Sequence, residues 1–197
     1  MPIAVPIVGG IAGFGLFLGV KKFINKGKKQ EELKQYLVKE LDKLAKYFPK
    51  DAETAKKDVE KLSKTEELEQ ALISIRSIFK QIIIVALCKH IIYADGVEDS
   101  DEVQKMLDFF QSAKHAKIFY DAIDVKRNTI EAICKDIKEC FPEEKHLGIL
   151  QLLQNIMNAH KPSQESILKS IKVIFGGSKH HKNELEAYNK AESLLKN

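Results

Sequence analysis

Residues 65–94 read TEELEQALISIRSIFKQIIIVALCKHIIYA and hold the longest helical pattern in the chain. Apolar side chains first recur every three or four positions, and then residues 82–88 are apolar on every side. A helix that is apolar all round is buried in a bundle or crosses a membrane. This fully apolar run, flanked by Lys80 and Lys89, is much shorter than the ~20 residues of a membrane span. We therefore predict a core helix over 65–94, with Thr65 as its cap.

The rest of the chain from Gln30 onward also has helical spacing and no sustained strand-like alternation. A first helical face ends at Pro49 and consists of Leu33, Leu37, Leu41, Leu44 and Phe48. Further helices are predicted at 52–62, 99–110, 117–123, 129–141, 144–159 and 164–175, with Pro142 and Pro162 at breaks between them. The sequence therefore predicts an all-α fold.

The N-terminus joins an uncharged segment to a dense basic one. Residues 1–20 contain no charged side chain, and five lysines follow: Lys21, Lys22, Lys26, Lys28 and Lys29. A helix of ~20 residues spans ~30 Å, about one hydrocarbon core. The charge follows the apolar run, which is the reverse of a secretory signal. We therefore expect a single-pass anchor in the cell inner membrane, with residues 1–29 on lipid and the rest of the chain cytoplasmic.

Glycines within residues 1–20 leave the state of this anchor open. Gly9 and Gly13 have the small-xxx-small spacing that lets membrane helices approach closely, as do Gly15 and Gly19. The two pairs lie on different helical faces and form no single stripe. A homo-oligomer is therefore one alternative, a flexible monomeric anchor a second, and an interfacial or pore-forming peptide a third.

The charge of the chain is concentrated in its basic segment. Lys and Arg number 32 against 28 Asp and Glu, a net +4. Without the five lysines of residues 21–29, 27 of the 32 basic residues remain against the 28 acids. Only Arg76 and Arg127 are arginines, and arginine is the residue that favours bidentate base contacts. We therefore expect lipid, and no sequence-specific nucleic acid, as a partner.

The cysteines of the sequence favour a reducing compartment, and the sequence motifs favour a protein that is not an enzyme. Cys88, Cys134 and Cys140 are an odd set with no CxxC pair, which argues against a disulfide framework. No HExxH, phosphate-loop, Ser-His-Asp or Cys-His pattern is present in the sequence. We expect no catalytic residue and no cofactor apart from a weakly held divalent cation, and keep a metal-dependent enzyme as an alternative.

Residues 95–102, the acidic turn, are the main candidate site. Five carboxylates lie here: Asp95, Glu98, Asp99, Asp101 and Glu102. Hard cations prefer several oxygen ligands, so Asp95, Asp99 and Glu102 are candidate ligands for a divalent cation, although the spacing is not that of an EF-hand. Docking of a basic partner is a second interpretation. The alternative is that Gly96 ends one helix and that Asp99 and Glu102 cap the next.

Histidines give weaker candidates. His180, His181 and Glu184 could bind a metal, but the sequence offers no convincing further ligand there. His90 lies on the predicted core helix, where we expect a histidine satisfied by its surroundings. Cys88 lies two residues before it and faces another side of the helix, so no thiolate–imidazole pair is expected.

The run ALCKHIIYADG at 86–96, with the acids after it, resembles the tellurite-resistance TerB-like domain family. That family has an apolar helix ending in Ala-Asp-Gly and an acidic turn whose second glutamate starts the next helix. The positions that match are Asp95, Gly96, Asp99 and Glu102. The family usually has an aliphatic residue where this chain has Glu98. The resemblance covers residues 66–176 and implies an all-helical domain of two similar halves in a bacterial stress response to tellurite, envelope damage or phage.

These patterns predict four regions. Residues 1–20 are an apolar membrane anchor, 21–64 a basic stem and charged helical arm, 65–177 a TerB-like domain, and 178–197 a polar tail with a weak helix. We expect a membrane-anchored interaction or scaffold module with an unidentified protein partner. The alternative is a membrane-active effector whose N-terminal segment inserts conditionally under control of the helical body.

Overall fold

The computed structural model describes residues 26–94, 96–159 and 174–196. These residues form eight helices and no strand, which confirms the predicted all-α class for this part of the chain. The helices are α1 (Lys26–Ala45), α2 (Pro49–Lys61), α3 (Thr65–Ile92), α4 (Ser100–Phe109), α5 (Ala113–Ala122), α6 (Ile130–Cys140), α7 (Glu143–Met157) and α8 (Ile174–Lys196). The anchor predicted at 1–20 lies outside the described residues, and so does most of the helix predicted at 164–175.

The described residues divide into two compact units, one within Met1–Lys80 and the other within Gln81–Asn197. The boundary falls inside α3, whereas the sequence placed a domain boundary at residue 65. The reason lies in the first half of α3, which buries Leu68, Ile75 and Phe79 within the first unit. The ring of Phe79 meets that of Tyr47 edge to face, with centroids 5.9 Å apart.

The first unit has a packed interior that includes most of the region predicted as a basic stem and charged helical arm. α1 and α2 pack against each other, and the apolar face of α1 is buried at Leu37, Leu41 and Leu44. α2 begins at Pro49, where the missing N–H costs nothing. Its buried residues are Ala52, Ala55 and Val59. Small alanines give a helical stripe that hydropathy alone does not mark, which is why the packing was missed.

The second unit contains the end of α3 and helices α4 to α8. Residues 82–88 are all buried, as predicted for a core helix. α4 packs on α5 and α7, while α8 packs on α6 and α7. The Thr129 hydroxyl accepts from the N–H of Ala132 at 3.3 Å and caps α6, at the residue where the sequence predicted a helix to begin.

Among the described residues, α3 is the one helix long and apolar enough to cross a membrane. Yet 56% of its most apolar window is buried inside the protein, as in a core helix. Thr65 is its first residue rather than its cap, and the Thr65 hydroxyl accepts from Gln30 at 3.4 Å.

The C-terminal region differs from the expected polar tail. α8 runs without a break through Gly176 and Gly177, where the compact part was expected to end. Its inward face buries Glu184, Tyr188, Ala191 and Leu195. The amide of Gln154 on α7 donates to the Tyr188 hydroxyl at 2.6 Å. Spacings of four, three and four fix this face, but only three of its members are apolar, so the sequence pattern was weak.

Candidate binding groove beside the acidic turn

The acidic turn caps a helix. Gly96 has φ +86°, the left-handed conformation predicted for a helix stop. The Asp99 carboxylate accepts from the N–H of Asp101 at 2.7 Å and begins α4. Glu102, only 2% exposed, lies in the first turn of that helix, where the helix dipole favours a negative charge.

The predicted cation site is not assembled from the side chains that the structure describes. No three His, Cys, Asp or Glu side chains in residues 26–94, 96–159 and 174–196 are placed to hold a metal ion. Asp95, one of the three candidate ligands, lies outside those residues, as do the side chains of His180 and His181.

Tyr93 joins the end of α3 to the acidic turn. Its hydroxyl donates to the Glu98 carboxylate at 2.6 Å. This hydrogen bond is the main reason that the pKa of Tyr93 is raised. Glu98 itself is exposed, so its charge faces solvent.

Lys89 is a buried cation behind this turn. The side chain is 8% exposed, and its ammonium donates to the carbonyls of Tyr120 at 2.5 Å and Ile123 at 2.8 Å. These carbonyls belong to the C-terminal end of α5, where a helix dipole favours positive charge. Burial lowers the pKa of Lys89, and the charges of Glu98 and Asp121 oppose that shift. Sequence reasoning treated Lys89 only as a polar flank of the apolar run.

The hydroxyl of Tyr120 lies in the same region and lacks a well-formed hydrogen bond. The residue is 1% exposed, and its hydroxyl has no described partner of ordinary hydrogen-bond geometry, although Glu98 acts on it through a weaker hydrogen bond. Burial and then the charge of Glu98 raise the pKa of Tyr120. A buried hydroxyl that lacks a well-formed hydrogen bond is costly in a folded protein and calls for a specific explanation.

Tyr93 also lines an open groove of about 380 Å³. Three elements of the second unit build its walls: the end of α3, the connection into α6, and α8. Its apolar lining consists of Ala94, Val125, Ile130 and Ala187, and its polar lining of His90, Tyr93, Asn183, Glu186 and Lys190. Sequence reasoning missed it, because its walls lie far apart in the chain.

His90 contributes a neutral imidazole to this groove. Its Nε2 lies 2.7 Å from the carbonyl oxygen of Asn128, so Nε2–H donates and Nδ1 remains an acceptor. Burial lowers the pKa of His90, and the hydrogen bond to Asn128 opposes that shift. The histidine is thus satisfied by its surroundings, as the sequence predicted.

An ion pair lies at the edge of the groove. The Lys190 ammonium on α8 is 2.5 Å from the Glu131 carboxylate on α6. The hydrogen bond from Lys190 is the main reason that the pKa of Glu131 falls to about 2. Because both side chains are about half exposed, this pair orients the groove wall more than it stabilises the fold.

The remaining predicted residues divide between surface and core. Lys29 pairs with Glu69 at 2.7 Å. The backbones of Lys26 and Lys28 lie in α1, while Lys21, Lys22 and the four glycines of the anchor lie outside the described residues. Cys88 and Cys134 are buried, and burial raises the pKa of the Cys134 thiol to about 12. Such thiols are poor nucleophiles.

No family model, no curated protein and no solved structure matches this chain.

Proposed function

We propose that this chain is a membrane-tethered, cytoplasm-facing helical module that binds a partner protein. The observation that carries the proposal is the groove of about 380 Å³, which is lined by His90 near the end of α3, by Tyr93 directly after that helix and by Lys190 on α8. A concave site with an apolar lining and a few polar groups is typical of a binding surface.

Membrane attachment is assigned to residues 1–20 rather than to α3. More than half of the apolar window of α3 is buried, and its Arg76 pairs with Glu40 at 3.0 Å. Residues 1–20 are uncharged, and the lysines after them suit anionic headgroups at about 1 kcal/mol each. Lys29 already pairs with Glu69, so headgroup contacts are assigned to the other four. The positive-inside tendency then places α1 to α8 in the cytoplasm.

The stress-response context rests on the TerB-like resemblance of residues 86–102. In that context the acidic turn and its surroundings serve as a docking site rather than a catalytic one. The module would take its role from the protein it binds at the membrane surface.

Flotation with vesicles tests the tether. We expect the full chain to float with phosphatidylcholine vesicles, to resist carbonate extraction, and to float more completely when phosphatidylserine is included. A chain without residues 1–20 should remain in the lower fraction. Replacing Lys21, Lys22, Lys26 and Lys28 by Gln should remove the effect of phosphatidylserine.

The matched control changes four exposed lysines elsewhere to Gln: Lys39, Lys50, Lys57 and Lys105. This variant has the same net charge and should float like the wild type. Extraction of the full chain by carbonate would refute the anchor. Release of dye from the vesicles would instead favour the membrane-active effector.

A further inference from the structure

The groove and the acidic turn form one continuous surface through Tyr93. Its side chain lines the groove, and its hydroxyl donates to Glu98 at 2.6 Å. An occupant of the groove that touches Tyr93 therefore lies within reach of the Glu98 carboxylate.

This end of the second unit has acids that no described cation neutralises at the surface. Glu98 and Asp124 are exposed, and neither forms an ion pair with a described residue. Both charges oppose the burial that lowers the pKa of Lys89. The Lys89 ammonium is buried, and its hydrogen bonds go to two main-chain carbonyls.

The buried Tyr120 hydroxyl lies beside the same carboxylate. Glu98 raises the pKa of this hydroxyl both through its charge and through a hydrogen bond whose geometry falls short of an ordinary one. Its oxygen can accept from an N–H donor that reaches the acidic turn.

We propose that the groove and the acidic turn bind a basic segment of a partner protein. An apolar side chain of the segment fills the groove, and a neighbouring lysine or arginine pairs with Glu98. A cavity of ~150 Å³ accommodates a benzene ring, so about 380 Å³ takes one large side chain and part of its neighbour. The complementary charge sets the orientation and makes binding weaker at high salt. This inference rests on the proposed binding function and does not require the membrane tether.

The probe is a fluorescein-labelled peptide, GSKKLFKKSG, titrated against the full chain in nanodiscs of zwitterionic phosphatidylcholine. Fluorescence anisotropy measures binding at low and at high salt. We expect saturable binding that salt weakens, and at least tenfold weaker binding of GSKKSSKKSG, which lacks the apolar pair, and of the charge-reversed GSEELFEESG.

Variants locate the site. Glu98→Gln should weaken binding about 3- to 5-fold, as for an exposed ion pair. Ala187→Trp should fill the groove and weaken binding more than tenfold. Asn183→Lys, on the surface of α8, should weaken binding of the basic peptide and favour the acidic one without disturbing the core. The control Asp108→Asn removes an exposed acid of α4 and should leave binding unchanged.

Equal binding of the three peptides, or wild-type binding by both Ala187→Trp and Asn183→Lys, would overturn the inference. A chain that floats with vesicles but does not bind the basic peptide also overturns it, and leaves the membrane tether standing. Binding to the peptide by a chain that carbonate extracts supports the groove and refutes the tether.

Discussion

The two compact units differ in where they place charge. Among the described side chains of residues 29–80 no charged group is buried, and the core consists of leucine, alanine and other apolar residues. The described part of the second unit buries five side chains of the Lys, Asp, Glu and His types: Lys89, Glu102, Asp136, His146 and Glu184. An apolar core needs only suitable volume and spacing, whereas each buried ionisable group needs partners at fixed positions. The second unit is therefore the part whose geometry is specified most strictly, and it carries the groove.

The same contrast separates two cations. Arg76 in the first unit pairs with Glu40 at 3.0 Å with half of its side chain exposed. Lys89 in the second unit is buried and donates to two main-chain carbonyls. Exposed ion pairs contribute little to stability, but a buried acceptor that loses its donor costs its full desolvation.

The largest expected effect is that of Lys89→Met. Removal of the ammonium leaves the carbonyls of Tyr120 and Ile123 without their donor, which should lower the free energy of unfolding by about 2–4 kcal/mol. Urea denaturation of the chain lacking residues 1–20, followed by circular dichroism, measures the change.

Arg76→Met is the control for that comparison. It removes a cation of similar length from a pair in which Arg76 is half exposed and Glu40 also has Lys43 at 3.3 Å, so we expect a loss of about 0.2–1 kcal/mol. Equal losses of unfolding free energy in the two variants would show that the burial of Lys89 adds nothing to stability. The two units would then not differ in how much their cations stabilise them.

Lowering the pH should act on the second unit through His90. Burial lowers the pKa of His90 below its ordinary value of 6.5, so below pH 6.5 the unfolded chain takes up a proton before the folded one does. Stability should therefore fall as the pH drops through 6.5 toward the pKa of the folded protein. His90→Gln should reduce this pH dependence. Denaturant titrations from pH 7.5 to 5.0 measure the free energy of unfolding at each pH. If its slope against pH is unchanged in His90→Gln, another group causes the pH dependence.

Much of the fold could be predicted from the sequence, because it depends on patterns within one helix. The all-apolar run at 82–88, the glycine stop at Gly96 and the cap at Asp99 are local signals, and the structure confirms each. The packing of α2 and α8 could not be predicted, because their buried faces rely on small or polar residues. Ala52, Ala55, Glu184 and Ala191 do not stand out by hydropathy.

The candidate site was predicted only in part, for a different reason. The acidic turn is contiguous and therefore visible, but Lys89 contacts main-chain carbonyls 31 and 34 residues away. Every residue carries a carbonyl, so such a contact leaves no trace in composition or spacing. The groove likewise joins His90 to Ile130 and Lys190, which meet only after α3, α6 and α8 pack. A lysine beside an all-apolar run was the one available signal.

The smallest expected effect is that of removing Lys190 from the ion pair at the groove edge. It shows whether the stability lost with a cation depends on the burial of that cation or on the unit to which it belongs. Lys190 belongs to the second unit, yet it is half exposed, as Arg76 is in the first. Lys190→Gln should therefore leave the thermal midpoint almost unchanged while the pKa of Glu131 rises from about 2 toward the ordinary 4.5. Carbon-13 chemical shifts of the Glu131 carboxyl, followed from pH 7 to 2, measure that rise. A marked fall in the thermal midpoint would mean that exposed ion pairs in the second unit also stabilise the fold. Burial would then not explain the difference in stability between the Lys89 and Arg76 variants.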